Sequence, residues 1–209
     1  MKKNHLFIVL LLSVFAACSN HTEEKKEDPQ IKKDTTAAAI PKPVTETKRP
    51  PIINIMDSLS VKYTVLYMKD SAAVAERISL KLAEILGFKL AAVIKKNGLK
   101  ITGKPIAWYH SSKAPYFFET GLPVDKKPAK QPSNVFVREI GVDSVVVAHF
   151  YGPYDQLSQA YEALSDWMKS HKKTAKGKPY EIYVDDPMDK DGKMKDPYRV
   201  QTDVVFPWK

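Results

Sequence analysis

Glu181 and Tyr183 lie two residues apart in Tyr180-Glu181-Ile182-Tyr183, a short aromatic and β-branched run that reads as a strand. Strand alternation puts Glu181 and Tyr183 on one face and Ile182 on the other. A carboxylate beside aromatic rings can do two kinds of work. It can bind a ligand with apolar bulk and positive charge, the rings giving area and cation–π attraction and the acid the counter-charge. It can also act as general base on water, with a tyrosine hydroxyl as acid; Glu181 with Tyr183 or Tyr109 is then the catalytic pair. In an empty apolar cleft, desolvation raises the pKa of such a carboxyl, and a bound cation restores its charge. On alternation alone, Glu181 reads first as a surface residue paired with a lysine.

Other reactive constellations are weak. Asp189-Lys190-Asp191-Gly192 hints at a calcium loop, but Pro187 stands where a preceding acid is needed and Tyr198 replaces the bidentate Glu. A lone cysteine excludes a disulfide framework and multi-cysteine metal sites. His110 and His149 form no pair at metal-ligand spacing. Neither a metal nor a cofactor is expected.

The elements that hold Glu181 recur. Gly103-Lys104-Pro105-Ile106-Ala107-Trp108-Tyr109 aligns with Gly177-Lys178-Pro179-Tyr180-Glu181-Ile182-Tyr183, 74 residues later. Each is preceded by a strand and a helix (strands 62–67 and 144–150) and followed by another strand (116–120 and 198–202). Leu157, Ala160, Tyr161, Leu164, Trp167, Met168 and His171 form one stripe of the second helix, which Asp155 can cap and Pro153 must precede; its aromatic and Met positions read as core. The first helix is expected from near Ser71, with Val74, Ile78, Leu82 and Ile85 inward, to Asn97-Gly98. The fold class is therefore α+β: two tandem strand–helix–strand–strand repeats, about 57–124 and 134–209, with pseudo-twofold symmetry and a central cleft. The repeat sets Tyr109 opposite Tyr183 and Ala107 opposite Glu181, so the acid occurs once. Trp108, Tyr116, Phe118 and Tyr154 are further wall candidates.

The 209 residues carry 33 Lys and Arg against 24 Asp and Glu, a net charge of +9, with 44% hydrophobic residues. Met1-Lys2-Lys3, the apolar Leu6–Phe15 and Ala16-Ala17-Cys18 have the order of a secretory signal, too short for a transmembrane helix. Phe15-Ala16-Ala17-Cys18 resembles a bacterial lipobox, which implies cleavage after residue 17 and fatty-acyl (palmitate-type) chains on Cys18. Several acyl chains anchor a protein where one is marginal. Residues 18–55 lack aromatics and mix charge, Thr/Ala and Pro, the composition of a disordered tether. The folded unit is expected over 56–209. Loss of Lys2 and Lys3 leaves the mature chain two charges lower, at +7. The lysines are interspersed with acids, and no nucleic-acid motif is visible, so no nucleic-acid partner is expected.

His149-Phe150-Tyr151-Gly152-Pro153-Tyr154, the following helix, and Gly177-Lys178-Pro179-Tyr180-Glu181-Ile182-Tyr183-Val184-Asp185-Asp186-Pro187 together resemble the GyrI-like, or AraC-effector-binding, domain family over about 57–209. The resemblance implies two tandem modules around a cleft, lipophilic and often cationic ligands, and a pocket position for Glu181. Many such domains are fused to helix-turn-helix domains; here a signal, Cys18 and a tether occupy that place. The expectation is a lipid-anchored, extracytoplasmic binding module for amphiphilic or cationic small molecules in the cell envelope. Ser19 after Cys18 fits outer-membrane sorting if the bacterium is diderm. The alternatives are a hydrolase of reactive electrophiles, as reported for some relatives, and an envelope lipoprotein docking an acidic protein partner through its basic face.

Overall fold

The computed structural model describes residues 49–209. The expected signal peptide, Cys18 and the tether up to residue 48 lie outside the described residues. Eight strands form one antiparallel sheet: β1 (Ile52–Leu59), β2 (Tyr63–Ala72), β3 (Ile106–Tyr109), β4 (Tyr116–Val124), β5 (Phe136–Ile140), β6 (Ser144–Tyr151), β7 (Tyr180–Tyr183) and β8 (Gln201–Trp208). Their spatial order, β1-β6-β8-β7-β3-β4-β2-β5, reads the same from both ends once the halves are equated. The pseudo-twofold axis runs between β3 and β7, where Ile106 pairs with Ile182 and Ala107 with Glu181.

Each repeat has one strand more than expected. β1 and β5 precede the strand–helix–strand–strand units, and each pairs with the other unit: β1 with β6, β5 with β2. The folded unit consequently starts at or before Ile52, upstream of the expected boundary at residue 56. The connections β1–β2 and β5–β6 meet, with Ser60 N–H donating to Asp143 O (2.9 Å) and Val142 N–H to Ser60 O (3.1 Å). Since four strands lie between β2 and β6 in the sheet, this contact shows that the sheet curls. Gly141 sits at the crossing with φ of 105°, and a Cβ there would lie 2.1 Å from Val61 O.

Two helical packs cover one face. In the first half, α1 (Glu76–Glu84), a π-helical turn (Ile85–Leu90) and α2 (Ala91–Lys96) bury Ile85, Leu90 and Ile94 against Leu66, Met68, Phe118 and Leu122. The helix thus starts at Glu76; Ser71 belongs to β2, where it pairs with Phe117. Gly98, at φ 59°, follows its end. In the second half, α3 (Ser158–Ser170) buries Leu157, Ala160, Leu164 and Met168 against Val146, Ala148, Phe150 and Val204. A 3-10 turn, Tyr154–Gln156, intervenes after the extended Pro153, so the cap position falls on Leu157 rather than Asp155. A third core, with Val65, Tyr67, Ile106, Trp108, Tyr180 and Val205, lines the opposite face inside the curl. Asp189-Lys190-Asp191-Gly192 is a turn in which the Asp189 carboxylate accepts from the Asp191 and Lys193 N–H groups, both at 2.9 Å.

Candidate functional site

Glu181 lies beside the pseudo-axis on the helix-covered face. Its partner across the strand pair is Ala107, whose small side chain leaves the carboxylate room. Only 3% of Glu181 is exposed. Tyrosine hydroxyls from three elements donate to it: Tyr161 of α3 to Oε1 at 2.9 Å, and Tyr154 and Tyr183 to Oε2 at 2.5 and 3.1 Å. Tyr109 completes the ring. Its hydroxyl is 2.8 Å from that of Tyr183 and accepts from Tyr154 at 3.2 Å. Tyr109 and Tyr183 are repeat equivalents, so this contact joins the two halves at the axis.

Burial pushes the Glu181 carboxyl above the usual carboxylate range; the Tyr154, Tyr161 and Tyr183 hydrogen bonds pull it down without cancelling that shift. Burial, and the nearby Glu181 charge, raise all four tyrosine hydroxyls. They therefore stay protonated donors. Among the described residues no Lys, Arg or His lies within ion-pair reach of Glu181. The site is a buried acid held by dipoles alone. Tyr154, 53% exposed on its 3-10 turn, is the most exposed of the four tyrosines.

Of the expected site residues, Glu181, Tyr183, Tyr109 and Tyr154 come together. Trp108 does not: it points into the curl on the other face, its ring centroid 6.0 Å from that of Tyr180. Phe118 is fully buried behind Tyr109, with ring centroids 6.2 Å apart, and backs the site without lining it. Tyr116 shares the face of Phe118 at the start of β4, pairs with Ala72, and makes no hydrogen bond to the cluster. Tyr161, assigned to the core stripe, is a member of the site. Its ring does pack in the core, edge-on to Phe206 at 5.8 Å, while its hydroxyl reaches Glu181. Being the only stripe position with a hydrogen-bonding tip near the helix start was the available signal.

The opposite face carries a second buried carboxylate, Glu119 of β4, 5% exposed. Arg138 donates to its Oε2 at 2.6 Å, and Lys69 Nζ and His110 Nε2 lie 3.5 Å from Oε1. Burial pushes its carboxyl up, but Arg138, then His110 and Lys69, outweigh that and hold it below the usual range. The Arg138 guanidinium also stacks on Tyr67 (4.6 Å) and Trp108 (4.7 Å). Glu119 thus has cationic partners, whereas Glu181 has hydroxyl donors and no cation within ion-pair reach among the described residues.

Residues 72–209 match the family model described as the GyrI-like small molecule binding domain. No curated protein matches the chain in sequence. Among solved structures, the C-terminal domain of EcmrR superposes with a TM-score of 0.58 at 19% identity, covering 76% of this chain and 98% of that one. EcmrR in its DNA complex gives 0.59 at 19%, and the alignment covers 76% of this chain but only 57% of that longer one. SAV2435, solved bound to tetraphenylphosphonium, gives 0.50 at 13%, covering 75% and 94%. At these identities the likeness is one of fold. With the family match spanning two thirds of the sequence, the chain belongs to the GyrI-like small molecule binding domain family.

Proposed function

We propose that the chain binds lipophilic cations at Glu181, from an extracytoplasmic position on a membrane to which acylated Cys18 anchors it. The observation that carries the ligand class is a buried carboxylate whose partners are all hydroxyls. An unpaired buried charge is costly, and a ligand cation supplies the missing counter-charge while the four tyrosine rings supply area and cation–π attraction. SAV2435, of similar fold, has a structure bound to such a cation, tetraphenylphosphonium. The entry route of this proposal passes Tyr154, the exposed member of the ring on a short turn. Tetraphenylphosphonium titrated into the full chain should bind saturably, and Glu181→Gln should weaken it by about tenfold or more, the worth of one charge-assisted contact. Equal affinity in Glu181→Gln would remove the acid from the site. The anchor rests on the Phe15-Ala16-Ala17-Cys18 pattern; Cys18→Ser should release the protein from the membrane fraction, and retention would refute the anchor.

The hydrolase reading draws on burial holding the Glu181 carboxyl above the usual carboxylate range, the direction in which a general base is tuned. A base must present a free lone pair to water, and both Glu181 oxygens already accept from tyrosines. Binding is the better fit.

A further inference from the structure

The strand registers equate Glu119 with Asp203, Lys69 with His149, Trp108 with Ile182, Tyr67 with Val147 and Arg138 with Ser58. Lys69 pairs with Glu119 as His149 pairs with Asp203; Val65 pairs with Arg138 as Val145 pairs with Ser58. In the first half, the long Arg138 side chain fills the space between Glu119 and the Tyr67 and Trp108 rings. In the second half, every counterpart is shorter. A cleft of about 180 Å³ stands there, lined by Ser58, Val147, Tyr180, Ile182 and Asp203.

The polar groups keep the same plan. His149 Nδ1 is 2.7 Å from Asp203 Oδ1, as Lys69 approaches Oε1 of Glu119. Gln201 Nε2 donates to the same Oδ1 at 2.7 Å. No partner among the described residues reaches Oδ2, the oxygen corresponding to the one that Arg138 occupies in Glu119. The Asp203 side chain is 14% exposed, so a ligand in the cleft can reach it.

We propose that this cleft is a second ligand site, distinct from Glu181 and on the other face of the sheet, that takes a guanidinium group on a short apolar stem. Arg138 shows in the same molecule how such a group is held: by a carboxylate oxygen and by packing against the central side chains of the sheet. The cleft is smaller than the roughly 300–1,000 Å³ of drug-sized pockets. It suits one cationic head and a few methylenes. That chemistry is shared by small alkylguanidines and by an arginine side chain of another polypeptide.

The test uses the full chain with Ile and Val methyls isotopically labelled, titrated with n-butylguanidinium and, separately, with the peptide amide Gly-Arg-Gly. Saturable shifts are expected at Val147, Ile182 and Val205. Tighter binding of butylguanidinium assigns the site to small molecules; tighter binding of the peptide assigns it to an arginine side chain. Asp203→Asn should weaken either by about tenfold or more, and Glu181→Gln should leave both unchanged. Ser58→Arg should abolish binding and raise Tm, because it restores in cis the side chain that the first half carries. Val147→Tyr, which narrows the cleft from another wall, should also abolish binding. Unsaturable shifts, wild-type affinity in Asp203→Asn or Ser58→Arg, or loss of binding in Glu181→Gln would each overturn the site. The same Glu181→Gln protein, tested with tetraphenylphosphonium, reports on the proposed function separately.

Discussion

Tyr161→Phe isolates the electrostatic part of the tyrosine ring, because the Phe keeps the ring edge against Phe206 and removes only the hydroxyl. Among the described residues that hydroxyl is the sole partner of Glu181 Oε1, whereas Oε2 has two. A hydrogen bond to a charged group contributes about 1.5–3 kcal/mol, and one between neutral groups about 0.5–1.5 kcal/mol. For a domain of this size each kcal/mol moves Tm by about 2–4 °C. With the carboxylate ionised, the variant should melt about 3–12 °C below wild type; with it protonated, about 1–6 °C below. Linkage fixes which pH gives which. The folded-state pKa of Glu181 lies above its reference of 4.5, so the folded chain holds a proton that the unfolded chain releases. The contribution of Glu181 is therefore most favourable below the reference value and is lost as pH rises through the folded-state value. Removing one donor that pulls that value down widens the loss. Melts followed by circular dichroism across a pH series should show the Tm deficit grow to roughly twice its acid-side size as pH rises through the folded-state value. In a Glu181→Gln background the pH dependence should vanish. An equal deficit across the series, or full additivity with Glu181→Gln, would show that Tyr161 acts by packing alone.

Glu181→Gln on its own should leave the Tm of the ligand-free protein unchanged on the acid side of the folded-state value and raise it on the alkaline side, since it removes a buried charge that only hydroxyls compensate; scanning calorimetry across the same pH series checks this. Arg138→Ala should cost about 3 kcal/mol by urea denaturation, the low end for breaking a buried pair, because Lys69 and His110 remain near Glu119. Glu119→Gln should flatten the acid limb of the stability profile: its lowered pKa makes its contribution present above the reference value and lost as pH falls through the folded-state value. Gly121→Ala should cost more than about 4 kcal/mol or prevent folding, as its Cβ would meet Leu66 O at 2.4 Å and Tyr67 Cβ at 2.6 Å in the next strand; soluble yield and denaturation read this out.

The repeat and the alternation in β7 were enough to place Glu181, Tyr183 and Tyr109, because both follow from local geometry. The same alternation already separates Trp108 from Tyr109, since neighbours in a strand face opposite ways. β1 was harder. Ile52–Leu59 is exposed along most of its length, follows Pro50-Pro51, and pairs with β6 some ninety residues away, so no local pattern marks it. β5 is only five residues long and has no alternation of buried and exposed positions. Both were invisible for one reason: each is stabilised by the other repeat, and periodicity reports only what a segment does for itself. The cleft at Asp203 is legible only once those exchanged strands set Ser58 in register with Arg138.

The symmetry had to break at Glu181. Ala107 and Glu181 are equivalent in the two repeats and also pair directly across the axis. Side chains at such positions have Cβ atoms about 4.5–5.5 Å apart. Two buried carboxylates at that separation cannot both ionise, because each charge destabilises the other in a medium that screens poorly. A chain with Glu in both repeats would hold one of them protonated, and the site would offer a single charge split between two positions. With Ala on one side, the charge belongs to one repeat, and α3 of that repeat supplies Tyr161 to hold it. The tyrosines face no such limit. Tyr109 and Tyr183 can both persist on the axis because one hydroxyl donates while the other accepts. Away from the axis the acids need not be lost either, and Glu119 and Asp203 both remain. They diverged instead in their partners: Arg138 pairs with Glu119, whereas no partner among the described residues reaches Oδ2 of Asp203, so equivalent positions on one face of a duplicated fold come to differ in what they can still bind.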